Sequence, residues 1–386
     1  MKSILKTTLL GAALALALSS PAMAAGARSV SDVREETARQ VATMINDPLF
    51  DSALREHMSK GKVTLSDALQ EYAQDATLNA RSSTTDALHD LDREAIRLRG
   101  LDGRIGSLLG LRLHGVDAKA PPTSLRDFWT ATVNRDPSTG QPQLIAYDPK
   151  GHEHRYSADA LPDVPMLVVE SDNDAAMQAG IALVNEALRA GGLQAPTEFN
   201  PSPRVAQDPN ELTLLKKIRL ADDKEPNILF GAEIYAVVSG ITADGKPQLV
   251  VHDMPWLDHD KTWYTPNQDL INWTNYGANY VSVQFFEADD YESIDFKALA
   301  VTLLGALGDV SLVVSPAAPT AVLIAGISQI AKNIADSIPK AAYENKEDYV
   351  DSFYVIERGG NYGTDAKPLM GAANNAQIVL EPYVVK

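Results

Sequence analysis

The hydrophobic period changes along the chain, and that change bears on the fold class before any motif is read. From Asp32 to about Leu98 apolar residues recur at helical spacing, with Leu65, Ala68, Leu69, Tyr72 and Ala73 on one stripe and Leu88, Leu91, Ala95 and Leu98 on another. From about Glu211 onward the runs are short and the period is two. Val281, Val283 and Phe285, for example, alternate with Ser282 and Gln284. Helical and strand-like blocks kept apart in one chain read as α+β. The stiff, polar stretch Asn200-Pro201-Ser202-Pro203 followed by Asp208-Pro209 separates the blocks, and Pro121-Pro122 marks an earlier break.

Four segments follow. Residues 1–24 have a basic start at Lys2 and Lys6, an apolar run and a small-x-small end at Ala22-Met23-Ala24, the pattern of a cleaved secretory signal peptide. Residues 25–120 are expected to be helical: Asp32 with Glu35 and Thr64 with Asp67 have the spacing of capping boxes. Asp47-Pro48 places an acceptor at an N-cap with proline at the first helical position. Residues 121–205 read as a small α+β unit, with strands near 144–146, 155–156 and 166–169 and a helix over about 175–190. Residues 206–386 read as an antiparallel β-sandwich with strands at 212–220, 232–240, 247–252, 280–286, 352–357 and 377–385, and Asp244-Gly245 as a hairpin turn.

One insertion interrupts the last block. Residues from about 296 to 340 are rich in Ala, Leu, Ile, Val and Gly, without a charge between Asp309 and Lys332. They read as two helices either side of Ser315-Pro316-Ala317-Ala318-Pro319. A helical hairpin packed on the sandwich or on the N-terminal helices is the favoured reading, because soluble chains rarely leave so large an apolar surface in water. The alternative is a toxin-like hairpin that inserts into a membrane.

Composition narrows the function. The 386 residues contain no cysteine, which removes disulfides, thiolate metal sites and thiol nucleophiles. A formal charge of −17, from 51 acidic and 34 basic residues, argues against a nucleic-acid partner. With the signal peptide, the address is the periplasm or the exterior, and no permanent transmembrane anchor is expected.

The acidic residues collect where strands are expected to end. Asp222, Asp223 and Glu225 follow the first strand of the last block, Asp258 and Asp260 lie in a Trp-rich loop, Asp289 and Asp290 follow the 280–286 strand, and Asp348 and Asp351 precede the 352–357 strand. Like charges this close repel unless they are solvated, protonated or neutralised, and hard oxygen ligands from several loops are what calcium takes. Trp256, Trp263, Tyr264 and Trp273 sit among Asp258, His259, Asp260 and Asn272. Such a loop is either an aromatic platform for a carbohydrate, with Trp256, Asp258, Asp260 and Trp263 as its binding residues, or a long loop packing itself onto the sandwich.

Three blocks, KKIRLADDKEPNILFGAEIYAVVSG, HDMPWLDHDKTWYTPNQDLINW and VQFFEADDYESIDFKALA, resemble a family of uncharacterised secreted proteobacterial proteins classed as a domain of unknown function. That resemblance carries no activity. The strand-loop plan also resembles a C2 domain. This likeness implies Asp222, Asp223, Asp289, Asp290 and Asp348 as loop ligands for calcium, although some fifty residues separate Asp290 from Asp348. A phospholipid headgroup or a polysaccharide, reached through the cation, is the partner it implies.

Catalytic patterns are sparse. His152-Glu153-His154 puts two imidazoles on one face of a strand, compatible with zinc if Asp148 or Asp172 adds oxygen. The chain lacks H-E-x-x-H, G-x-S-x-G, P-loop and dinucleotide fingerprints. The expected function is therefore a calcium-binding interaction module. A secreted hydrolase using the acidic Trp loop or His152 and His154 is the rival.

Overall fold

The computed structural model describes residues 28–58, 63–75, 83–116, 122–136, 138–139, 141–157, 160–193, 211–223, 232–288, 294–308, 318–341 and 349–385. The expected signal peptide lies outside these residues. So do Asp289, Asp290 and Asp348.

Four helices come first: α1 (Val30–Met44), α2 (Pro48–Met58), α3 (Leu65–Asp75) and α4 (Ser83–Leu98). Their starts follow local chemistry. Asp47 Oδ1 accepts the Leu49 N–H at 2.9 Å ahead of α2, and Thr64 Oγ1 accepts the Asp67 N–H at 3.1 Å ahead of α3. The box on α1 is formed by Ser29 with Asp32 rather than by Asp32 with Glu35, because the Ser29 hydroxyl accepts the Asp32 N–H while Asp32 Oδ2 accepts that of Ser29.

These helices share a unit with a six-stranded sheet of β1 (Val63–Thr64), β2 (Leu109–His114), β3 (Trp129–Arg135), β4 (Pro142–Tyr147), β5 (Glu153–Ser157) and β6 (Met166–Ser171), in the order β1-β2-β6-β3-β4-β5. The sheet takes strands from both sides of residue 121. Only the β3–β6 pair is parallel. Helix α1 lies across β3, and Ile145, Tyr147, Leu167 and Val169 join the helical core. Two buried aspartates hold connecting loops by their backbone. Asp51 Oδ1 accepts the Leu125 N–H at 2.6 Å, and Asp92 Oδ1 accepts those of Leu108 and Leu109 at 2.9 and 2.7 Å.

After α5 (Asn173–Ala190) the chain forms β7 (Glu211–Leu220), β8 (Ile234–Ile241), β9 (Pro247–Asp253), β10 (Gln268–Asn272) and β11 (Tyr280–Glu287), then α6 (Phe296–Gly308) and α7 (Thr320–Ala341), then β12 (Tyr349–Glu357), β13 (Leu369–Met370) and β14 (Ala376–Val384). The strands make two four-stranded antiparallel sheets, β10-β7-β14-β13 and β12-β11-β8-β9. Leu215, Ile218, Ile378 and Leu380 of the first sheet share one core with Ala236, Val238, Val283 and Phe285 of the second. This is the layering of a β-sandwich. Gly245 in the β8–β9 turn has φ +84°, the conformation that makes glycine useful there.

The apolar insertion is a packed pair of helices. Helix α7 covers β8, β11 and β12 from outside, and α6 lies between α7 and α5. Leu299, Leu303 and Leu307 of α6 and Ile327, Ile330, Ile334 and Ile338 of α7 are buried in the core that also holds the N-terminal helices. No helix among the described residues is long and apolar enough to cross a membrane. The two halves are joined closely. The Phe296 ring lies against the α carbon of Gly180, where a side chain would overlap it. Asn185 of α5 clamps edge strand β9 by donating to the Val251 carbonyl at 2.8 Å and accepting the Val251 N–H at 3.1 Å.

Candidate functional site

The antiparallel register brings the acid-bearing strand ends to one end of the two-sheet unit. Glu287, which ends β11, pairs with Ile234, which starts β8, and Phe286 pairs with Tyr349, which starts β12. The end of β7 meets the Trp-rich loop there: the Lys261 N–H donates to the Leu220 carbonyl at 2.7 Å and the Ala232 N–H to the Asp258 carbonyl at 3.2 Å. Asp222, Asp223, Asp258 and Asp260 are thus gathered, as are the ends adjacent in sequence to Asp289, Asp290 and Asp348.

Within this end each carboxylate has a distinct neighbour. Asp223 is buried and its Oδ2 accepts the Asp260 N–H at 2.8 Å. Asp260 itself pairs with the Lys261 ammonium, and Asp258 Oδ1 accepts the Tyr264 hydroxyl at 2.8 Å. Asn375 bridges the Asp222 backbone, accepting its N–H at 2.9 Å and donating to its carbonyl at 2.7 Å. Lys261 has φ +55°, a left-handed turn that carries its ammonium back toward the acids.

The tryptophans divide. Trp256 packs on the sandwich core, and its Nε1 donates to Gln268 Oε1 at 3.0 Å. Trp273 is buried and donates to Thr213 Oγ1 at 2.8 Å. Trp263 remains 38% exposed, with the Lys217 ammonium 4.7 Å from its ring centroid. Of the two tryptophans expected to bind a carbohydrate, Trp263 is thus exposed and Trp256 half-buried.

A second cluster sits at the β4–β5 turn. His152 Nδ1 and His154 Nε2 both face Asp148 Oδ2, at 3.0 and 3.5 Å. Burial works to raise the Asp148 carboxyl. Hydrogen bonds from the backbone and ring of His152, from the Lys150 N–H and from His154 outweigh it, holding the group well below the usual carboxylate range. The His154 ring stacks on Trp129 with centroids 4.5 Å apart. Asp172 instead leads into α5. Among the described residues, no three His, Asp or Glu side chains converge in an arrangement that would hold a metal ion.

The seam between the halves, which no local motif marked, holds further charge. Arg99, 1% exposed, donates through Nη2 to Asn173 Oδ1 at 3.0 Å, and Asn173 Nδ2 donates to Glu233 Oε1 at 2.6 Å. Nearby, burial pushes Asp253 up to about 6, the Met254 N–H opposing and Asp174 of α5 reinforcing the rise. Burial pushes His252 down to about 4 against a hydrogen bond to the Leu270 backbone.

Comparison with known proteins yields a family without an activity. The family model described as "Protein of unknown function (DUF3103)" matches residues 34–386. No curated protein matches, and no solved structure does.

Proposed function

The chain belongs to the DUF3103 family, and we propose that its C-terminal two-sheet unit is a calcium-dependent interaction module, C2-like in plan, in a protein exported to the periplasm or the exterior. The observation that carries this reading is the gathering of the acid-bearing strand ends at one end of the sheets. Asp222 contributes from the β7 end, and a full coordination shell of six to eight oxygens draws on Asp289, Asp290 and Asp348 as well. Asp223 serves chiefly to fix the loop, since its carboxylate accepts the Asp260 N–H. A bound cation cancels the mutual repulsion of these acids, raises stability, and completes a surface for a phospholipid headgroup or a polysaccharide.

The test is a thermal melt of the chain from Ala25 in EDTA, then with calcium or magnesium titrated in, repeated on Asp289→Asn with Asp290→Asn. The expected result is a calcium-selective rise in melting temperature that disappears in the double variant. A melt indifferent to every ion rejects the reading.

A second reading, a secreted hydrolase, has one observation in its favour: two imidazoles meet a single carboxylate oxygen of Asp148 beside the Trp129 ring. Hydrolysis in a substrate screen that is lost in His154→Ala would establish it.

A further inference from the structure

On the outer face of the β8 and β11 strands Ser239, Ser282 and Gln284 lie among Tyr235, Val237, Ile241 and Phe286, and the apolar side of α7 lies on all of them. Val281, Val283 and Phe285 point into the sandwich core, so Ser282 and Gln284 point the other way. On β8, Val237 and Ile241 belong to the outer core with α7, which puts Ser239 on the same side, directly opposite Ser282. Gln284 pairs in turn with Ser352 of β12. All four residues are at most 1% exposed.

Ser352 is satisfied, because its Oγ accepts the Tyr349 hydroxyl at 2.7 Å. Four other polar atoms have no protein partner: Ser239 Oγ, Ser282 Oγ, and both Oε1 and Nε2 of Gln284. The side chains that α7 buries, Ile327, Ile330, Ile334 and Ile338, offer no hydrogen bond. Each unpaired buried polar group costs about 1–3 kcal/mol.

We propose that α7 is a releasable cover, seated in this structure on a sheet face where the unpaired side chains of Ser239, Ser282 and Gln284 oppose closure. The ties of the hairpin to the rest of the molecule fit that role. The backbone of α6 is anchored at its start, where the Phe296 N–H donates to the Arg99 carbonyl at 3.1 Å and Lys297 pairs with Asp102 at 3.0 Å. Between the helices, Asn333 Nδ2 of α7 donates to the Ala306 carbonyl of α6 at 3.3 Å. Because α6 also packs on α5 with Leu299, Leu303 and Leu307 buried, α6 stays in place and α7 is the element that lifts from the sheet. Closure is held by the apolar contacts of α7, and the unpaired ladder offsets part of what those contacts contribute.

The experiment is hydrogen exchange on the intact chain beside the variant Ser239→Ala, Ser282→Ala, Gln284→Leu. In the unchanged protein, amides of α7 exchange through a local opening at least tenfold faster than those of β7 and β14, which need global unfolding. The apolar variant removes the ladder, so exchange in α7 slows and the melting temperature rises by roughly 2–6 °C. Exchange of α7 only in step with β7 and β14 in the unchanged protein overturns the proposal, and this arm does not depend on the variant folding. A variant that folds but melts lower, with exchange of α7 unslowed, overturns it too. That result would mean the ladder atoms have firm partners, such as ordered water, in the closed state.

Discussion

Two carboxylates of the C-terminal unit are taken out of water on the same sheet, with opposite consequences. Asp351, 0% exposed on β12, accepts backbone N–H groups from Ser352 and Ala373 on one oxygen and from Asn375 and Ala376 on the other, all at 2.7–2.8 Å. Asp253, at the end of β9, has the Met254 N–H and a neighbouring carboxylate, Asp174, across the α5 seam. Burial with enough donors produces a structural tie. Burial with a single donor and a like charge nearby produces a group that keeps its proton to a higher pH than usual.

Breaking the well-served side of that comparison has the largest effect. Asp351→Ala strands four backbone donors at the corner where 371–376 turns into β14, and a loss of about 3–5 kcal/mol is expected in chemical denaturation. Next comes Gly371→Ala, because a Cβ at Gly371 would overlap the Asp351 carboxylate. About 1–3 kcal/mol of destabilisation should appear in the same assay, with little further loss once Asp351 is already alanine.

The poorly served side moves the other way. Asp253 is raised above its unfolded value of about 3.9, so the stability tied to its proton is full below about pH 4 and is lost as pH rises through about 6. Asp253→Asn is therefore expected to stabilise at pH 7 by about 1–2 kcal/mol once solvent screening is allowed for, with the gain vanishing by about pH 4. A gain independent of pH would show that charge is not its source. His252 has the reverse sign: its contribution is full above about pH 6.5 and is lost as pH falls through about 4. His252→Gln should accordingly flatten the acid limb of the melting profile while leaving the limb above pH 7 in place. The smallest effect is expected at the exposed pair, where Lys261→Ala should leave the denaturation midpoint nearly unchanged and lose any residual effect in high salt.

Much of the framework is legible in the chain because its signals are local. Asp47 before Pro48 and Thr64 before Asp67 act as caps, the Asp244-Gly245 turn lies between β8 and β9, and the apolar run near 296–340 contains two helices. The strands absent from the sequence reading include β3, whose Trp129, Thr130, Thr132 and Val133 suit a strand, and several with little local pattern. β13 is two residues long, β10 is five residues lying next to β7 with a register shift, and β2 carries Arg112 and His114 in a region dominated by helical spacing. The site was legible in part. Acids at strand ends are visible in the sequence, but the role of Asp223 depends on the Asp260 N–H, 37 residues away. The seam chain Arg99, Asn173 and Glu233 left no trace, since its members are 74 and 60 residues apart.

The sequence by itself determined the α+β class, the alternation that aims Ser282 and Gln284 away from the sandwich core, and the excess of acid at strand ends. These follow from periodicity and composition, which act between residues a few places apart. Only the tertiary structure decided that α7 covers Ser282 and Gln284, that Asp351 gathers four donors while Asp253 meets Asp174, and that Trp263 is exposed while Trp256 is half-buried. Each of those depends on which distant backbone groups share a small volume, and a contact across the chain carries no period along it.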